Sequence, residues 1–273
     1  MKYNISGKCY IEKQDNLIMM QQIESESIDL IYCDILYNTG KKFKDYDDKL
    51  GTPQEAMEWY KPRLIEMKRL LKETGSIYLQ CDDRLVHYLK VLMDEIFGIS
   101  NFQNDIVWCY RSSGFSKTKW SQKHDDILFY SKSKKFTFNL EDVRENEISD
   151  SVQKRWGKEI KELGYIPTKK NGKLYKNSPY SCPRDWFIIN ALPQAHRERL
   201  NYDTQKPKEL VERIIRASSN KNDIVADFFM GSGTTGEATL DLGRRFIGCD
   251  IGEKAFSITK ERLKRFENKI KLD

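Results

Sequence analysis

The chain lacks most of what metal sites and disulfide frameworks are built from. Its six cysteines, Cys9, Cys33, Cys81, Cys109, Cys182 and Cys249, are scattered with no C-x-x-C pair, and only three histidines accompany them. This excludes zinc-ribbon spacing and predicts reduced thiols that pack as small hydrophobes. His87, His124 and His196 lack the spacing of metal ligands and are expected as surface or capping residues, so no metal site is predicted. Long apolar runs are missing too: none approaches the roughly 18 residues that suggest a membrane span. Met1–Tyr10 carries no signal-peptide pattern. The expectation is a cytoplasmic protein with no membrane partner. No internal repeat or low-complexity tract interrupts it.

What is present suits one globular core with room for an inserted subdomain: 273 residues, 39% hydrophobic and 32% charged. The net charge of +6 is unevenly placed. Residues 151–206 hold 12 Lys and Arg against 5 Asp and Glu, an excess larger than that of the whole chain. Aromatics are interleaved there: Trp156, Tyr165, Tyr175, Tyr180, Trp186 and Phe187. Cations with stacking rings suit a nucleic-acid backbone and its unstacked bases.

Along the chain, Ile28–Cys33 reads as a strand ending at Asp34, and Pro53 opens a helix with Met57, Tyr60, Leu64, Met67 and Leu71 on one face. Gly75 is expected to end that helix. Ser76–Gln80 reads as the next strand, and Leu85, Leu89, Leu92 and Ile96 line a second helix up to Gly98. Asp105–Tyr110 and Ile127–Tyr130 read as strands joined by a polar loop, Arg111–Lys123, that carries Arg111, Lys117, Lys119 and Lys123. An irregular basic segment follows, with a helix near Ser151–Leu163. Thr204-Gln205-Lys206-Pro207 leads into a helix, Arg245–Cys249 is a further strand, and Phe256, Leu263, Phe266 and Ile270 give the last helix a buried face. Strands alternating with helices predict a mostly parallel sheet covered on both faces, with Asp34 and Asp227 at one edge.

The chain is organised around Asp227-Phe228-Phe229-Met230-Gly231-Ser232-Gly233-Thr234-Thr235-Gly236. A short Ile- and Val-bearing strand precedes it and a helix follows, so the glycines form a turn at a helix N-terminus where backbone amides approach a ligand. Gly231, Gly233 and Gly236 spell G-x-G-x-x-G, and Asp250 lies about 20 residues on, as in dinucleotide folds. Asp227 argues against a dehydrogenase, because its carboxylate would repel a pyrophosphate but attract an ammonium and a sulfonium. S-adenosylmethionine carries both. Only 23 residues follow Asp250, so the other strands come from upstream and the order is permuted.

With these parts in place, the chain resembles the β-class DNA amino-methyltransferases of the N6-adenine type, in particular the modification (Mod) subunits of type III restriction–modification systems. The markers are Asp15-Asn16-Leu17, then Asp34-Ile35-Leu36-Tyr37-Asn38-Thr39-Gly40, then Thr204-Gln205-Lys206-Pro207, then Asp227–Thr235, in the family's permuted order from about Cys9 to Leu263. The resemblance implies a Rossmann-like, circularly permuted α/β fold with a seven-stranded, mostly parallel sheet. It implies a catalytic half over 1–135, a target-recognition insert over 136–203 and a cofactor-binding half over 204–273.

The implied activity is transfer of a methyl group from S-adenosylmethionine to the amine of a flipped-out adenine, within DNA methylation and restriction–modification. By resemblance, Asp34 and the Ile35 carbonyl accept hydrogen bonds from the amine, and Tyr37 stacks on the base. The cofactor-binding stretch is Asp227, Phe228, Phe229, Gly231, Ser232, Gly233, Thr234 and Thr235, around the methionine end. Asp250 goes to the ribose, Asp15 and Asn16 to the adenine, and Thr204 with Lys206 to the carboxylate side. Double-stranded DNA is the expected partner, through the basic insert 151–206 and the loop 111–123, with a second copy and a restriction subunit as candidates. One departure stands out: both prolines of the family's Asp-Pro-Pro-Tyr are replaced, by Ile35 and Leu36. The same acceptor logic serves N4-cytosine, and the lost prolines leave open a catalytically impaired cofactor- and DNA-binding homologue.

Overall fold

A computed structural model describes residues 1–43, 46–112 and 114–267. Ile270 of the expected last helix lies outside them. The chain divides into a larger unit, Met1–Phe138 with Asp185–Asp273, and a smaller one, Asn139–Arg184.

The elements in chain order are β1 (Lys2–Ile5), β2 (Cys9–Lys13), α1 (Asn16–Gln21), β3 (Ile28–Asp34), β4 (Lys41–Lys42), β5 (Asp47–Asp48), α2 (Pro53–Leu70), β6 (Leu71–Cys81) and α3 (Val86–Phe97). Then follow β7 (Phe102–Cys109), β8 (His124–Ser131), α4 (Asp150–Leu163), β9 (Ile166–Lys170), β10 (Lys173–Asn177) and β11 (Trp186–Ile188). The chain returns to its core with α5 (Lys208–Ser218), β12 (Ile224–Asp227), α6 (Thr234–Asp241), β13 (Arg245–Asp250) and α7 (Glu253–Leu263).

One sheet carries the order β1-β2-β13-β12-β3-β6-β8-β7-β11. Its seven inner strands match the expected number, and β1 and β11 extend the two edges. From β2 to β6 all neighbours run parallel; β8 alone among the inner strands is reversed, pairing antiparallel with both β6 and β7. Such a sheet must be covered on both faces, and β3 shows how: Ile31 and Cys33 face a core shared with α1, α2 and α3, while Leu30 and Tyr32 face one shared with α5. Among the described residues no helix is long and apolar enough to cross a membrane.

Helix α2 begins at a capping box, in which the Thr52 amide donates to Glu55 Oε2 at 2.7 Å and the Glu55 amide to Thr52 Oγ1 at 3.3 Å. It ends at Leu70, earlier than expected, and Gly75 belongs to β6 instead. The β3–β6 register slips between Ile28 and Leu30, and a Cβ at residue 75 would meet Lys72 O at 3.0 Å and Asp29 O at 3.2 Å. Gly75 therefore allows a close backbone approach at a bulge rather than a helix cap.

The smaller unit holds α4, capped by the Ser149 hydroxyl and ended by Gly164 at φ +75, and the β9–β10 hairpin. It is shorter than the expected 136–203 insert, because β11 pairs in parallel with β7 and Trp108 Nε1 donates to Ile189 O at 2.8 Å. Phe187 is buried in that strand, with the Arg213 guanidinium 4.6 Å from its ring centre, so it is a core residue and not a stacking surface. Tyr175, Tyr180 and Trp186 are exposed.

The sheet brings β12 and β13 close where the glycine turn begins. Gly248 lies opposite Asp227, and a Cβ there would meet the Phe246 ring at 2.6 Å and Asp227 O at 3.3 Å. Gly248→Ala is expected to destabilise the fold by about 1–3 kcal/mol through overpacking, read as a lower denaturation midpoint with an unchanged slope.

Candidate active site

The sheet's directions decide what gathers at its carboxyl edge. β3, β12 and β13 end there with Asp34, Asp227 and Asp250, and reversed β8 begins there with His124 and Asp125. Chemistry in open α/β sheets collects at this edge. A cavity of about 530 Å³ opens on it. Asp34 and Asp227, distant in sequence, both line that cavity, together with every other predicted site residue except Gly233. Gly233 acts from behind, capping α6 at φ +74.

Asp227 is 2% exposed and its oxygens accept from the Phe229 amide at 3.0 Å and the Thr235 hydroxyl at 2.6 Å. Burial outweighs these bonds and pushes its carboxyl up to about 7, with Asp34 and Asp250 adding repulsion. Asp250 ties the turn together by accepting from the Gly231 amide at 3.0 Å and the Gly252 amide at 2.8 Å. Thr259 donates to Gly231 O at 3.0 Å from α7, so the glycine turn is held on two sides.

Asp34 is held differently. Lys206 Nζ lies 2.5 Å from Asp34 Oδ2, and the Tyr37 hydroxyl 2.8 Å from Oδ1. Burial raises the Asp34 carboxyl, and Lys206 and Tyr37 oppose that shift. The Tyr37 hydroxyl also lies 2.9 Å from Asp125 Oδ2, so one proton is shared between two carboxylates. Asp125 takes two further donors, Gln80 Nε2 at 3.0 Å and the Tyr110 hydroxyl at 3.0 Å, and Tyr32 donates to Gln80 Oε1 at 2.6 Å. The result is a partly buried network in which each side chain fixes the next.

Ile35 and Leu36 are held by contacts where prolines would be held by their rings. Ile35 is 4% exposed and its amide donates to Gln80 O at 3.2 Å, while the Tyr60 hydroxyl donates to Leu36 O at 2.7 Å. Asp15 caps α1 through the amides of Leu17 and Ile18, and its other oxygen lies 3.1 Å from Arg63 Nη2. Asn16 accepts from Arg63 Nε at 2.7 Å and donates to Phe228 O at 3.2 Å. Arg63 is itself stacked 3.5 Å from the Trp59 ring centre. Thr204 lines the cavity next to Lys206.

Sequence reasoning missed Asp125, Gln80, Tyr110 and Arg63. The available signal was the acidic pair Asp125-Asp126 opening an apolar strand, which falls at the functional edge because β8 runs antiparallel to its neighbours.

Residues 28–261 match the DNA methylase family of N6 and N4 methyltransferases. The chain belongs to that family. It is 33% identical over 246 residues to the Type II methyltransferase M.HpaI of Haemophilus parainfluenzae, covering 89% of this chain and 70% of the relative. It is 31% identical to the DNA adenine methyltransferase YhdJ of Escherichia coli K12, covering 91% and 80%. A type III enzyme, the StyLTI Mod subunit of Salmonella typhimurium, also matches, at 24% identity with 88% of this chain and 52% of the relative covered. Among solved structures, the cytosine-N4-specific PvuII DNA methyltransferase superposes with a TM-score of 0.66 at 17% identity, covering 96% of this chain and 92% of that one. The M1.HpyAVI–SAM complex superposes at 0.55 with 22% identity, covering 93% and 100%. These two likenesses speak to the fold, and this methylase has that fold.

Two outcomes follow from the geometry. Because the Asp227 carboxyl is raised in the fold, its contribution to stability is fully present below the unfolded value near 4 and is lost as pH rises through about 7. Thermal melts of the ligand-free protein against pH should show wild type losing up to about 4 kcal/mol relative to Asp227→Asn between pH 4 and 8; parallel curves would contradict it. Asp125→Asn turns one acceptor oxygen into a donor facing donors and should cost about 1–3 kcal/mol in urea unfolding.

Proposed function

We propose that this methylase transfers a methyl group from S-adenosylmethionine to the exocyclic amine of an adenine flipped out of duplex DNA. One observation carries the reading: two carboxylates of unlike environment, the half-buried Asp34 and the buried Asp227, line a single cavity. Their separation of roles is what a cation and an amine acceptor require. The adenine-type relative YhdJ supports the choice of base.

The cofactor, when bound, supplies a methyl group on a positively charged sulfur. The site's fit to it rests on Asp227, a buried carboxyl whose ionisation a cationic ligand would restore, and on the Gly231–Thr235 turn, whose Gly231, Ser232, Thr234 and Thr235 line the cavity beside it. Asp250 and Asp15 are the carboxylates on the cavity wall suited to hydroxyl and amino groups. Lys206 is the cation suited to a carboxylate.

The adenine amine is a poor nucleophile because its lone pair is delocalised into the ring. Asp34 accepts a hydrogen bond from it, the Ile35 carbonyl accepts a second, and Tyr37 packs on the base. These acceptors sit where positive charge develops on nitrogen, so they act on the transition state more than on the ground state. Flipping is required because the amine is out of reach in a duplex. Residues 151–206 and the loop 111–123 supply cations for the phosphates. The Ile35 amide bond to Gln80 and the Tyr60 bond to Leu36 support an active site despite the missing prolines.

Sequencing of DNA from cells expressing the chain, read for modified bases, should show N6-methyladenine in a fixed sequence context; N4-methylcytosine would move the reading to the other amine, and unmodified DNA would sink it. Asp34→Ala should lower transfer by at least about 100-fold. Ile35→Pro/Leu36→Pro should not raise the rate, because a proline at 35 deletes the amide bond to Gln80. Cofactor affinity should weaken as pH falls below about 7, where Asp227 takes up a proton, and the effect should vanish in Asp227→Asn.

A further inference from the structure

The loop between β7 and β8 is left over once the cavity is explained. β7 ends and β8 begins at the sheet's carboxyl edge, so residues 111–123 rise from the same edge as Asp34. Both roots of the loop join the site's own network: Tyr110 on one side and Asp125 on the other are bonded to each other, and Asp125 is bonded to Tyr37. At the far end of this loop Trp120 is 97% exposed and Phe115 78% exposed. They are the most exposed large apolar side chains among the described residues, and flat aromatic rings are the groups on which bases stack.

The turn that presents Trp120 is internally braced. Lys123 Nζ donates to Ser112 O at 3.0 Å and to Gly114 O at 2.8 Å, and Ser116 Oγ accepts from the amides of Thr118 and Lys119 at 3.3 and 3.2 Å. The Ser116 amide donates to Ser121 Oγ at 2.8 Å, and Gln122 Nε2 reaches Asp83 Oδ1 at 2.7 Å, tying the descending arm to the segment after β6. The indole therefore stands on a preorganised support. Arg111, Lys117 and Lys119 on the same loop bring phosphate-binding charge beside it.

We infer that this loop is a wedge: Trp120 enters the duplex at the target base pair and occupies the gap left when the base swings into the Asp34–Tyr37 cavity. An extruded base leaves two unstacked neighbours, and a flat apolar ring between them restores part of the lost stacking. The shared anchor through Asp125 keeps wedge and pocket in a fixed relation, so filling the stack and seating the base become one event. This inference rests on the flipped-base reading above and adds the group that holds the duplex open.

The test uses the full chain and, as substrates, duplexes carrying the methylation site found by sequencing, either fully paired or with the target base opposite an abasic position. Trp120→Ala should lower single-turnover transfer on the paired duplex by about 10- to 100-fold. On the abasic-opposed duplex, where extrusion costs little, it should come within a few-fold of wild type. A 2-aminopurine placed at the target should brighten on binding wild type and much less on binding Trp120→Ala. Equal losses on both duplexes would make Trp120 a mere affinity contact and overturn the wedge. So would an unaffected Trp120→Ala, or a paired-only defect that appears in Phe115→Ala instead. Failure of wild type on every DNA would count against the functional reading itself, which keeps the two outcomes apart.

Discussion

The structure turns on the confinement of two carboxylates at the ends of adjacent parallel strands. Asp34 and Asp227 repel each other and both lose water, so each must be stabilised by its own surroundings. They are given unlike partners. Asp34 has a lysine and a phenol; Asp227 has a hydroxyl and a backbone amide, and its carboxyl rises to about 7. That asymmetry gives one cavity two carboxyl groups of different proton affinity, one of them fixed in direction by its lysine and phenol.

Much of the surrounding architecture serves this confinement. Asp250 and Thr259 grip the glycine turn from β13 and α7. Tyr37 is oriented through Asp125, which Gln80 and Tyr110 hold in turn, so β8, β6 and the residue after β7 contribute to the position of one ring. Arg63 reaches across from α2 to fix Asp15 and Asn16, using the Trp59 face as its backing. Where the resemblance led one to expect two prolines, Ile35 is buried and Leu36 is bonded through its carbonyl. Packing and a hydrogen bond replace a covalent restraint.

Legibility in the sequence followed the range of the interaction that fixes each feature. Helices with apolar stripes, such as α3 with Leu89, Leu92 and Ile96, and strands such as β13 are set by neighbours a few residues away, and their pattern was readable. Gly75 misled because a glycine after a helix signals a cap, yet its role depends on Asp29, far off in the chain. The insert's end misled in the same way, since Trp186–Ile188 looks irregular until β7 offers it a partner. Phe187 read as a stacking surface because composition records which rings are present and not which way they face.

The chain alone determined the family, the order of its motifs, the glycine turn and the identity of somewhat more than half of the residues lining the cavity, since these are carried by short contiguous stretches. Tertiary structure decided that β12, late in the chain, slots between β13 and β3, and that reversed β8 delivers Asp125 beside Tyr37. It also decided that Lys206 reaches Asp34. Those are pairings between residues far apart in sequence, chosen by which arrangement of strands buries the two apolar faces, and no local pattern encodes the outcome.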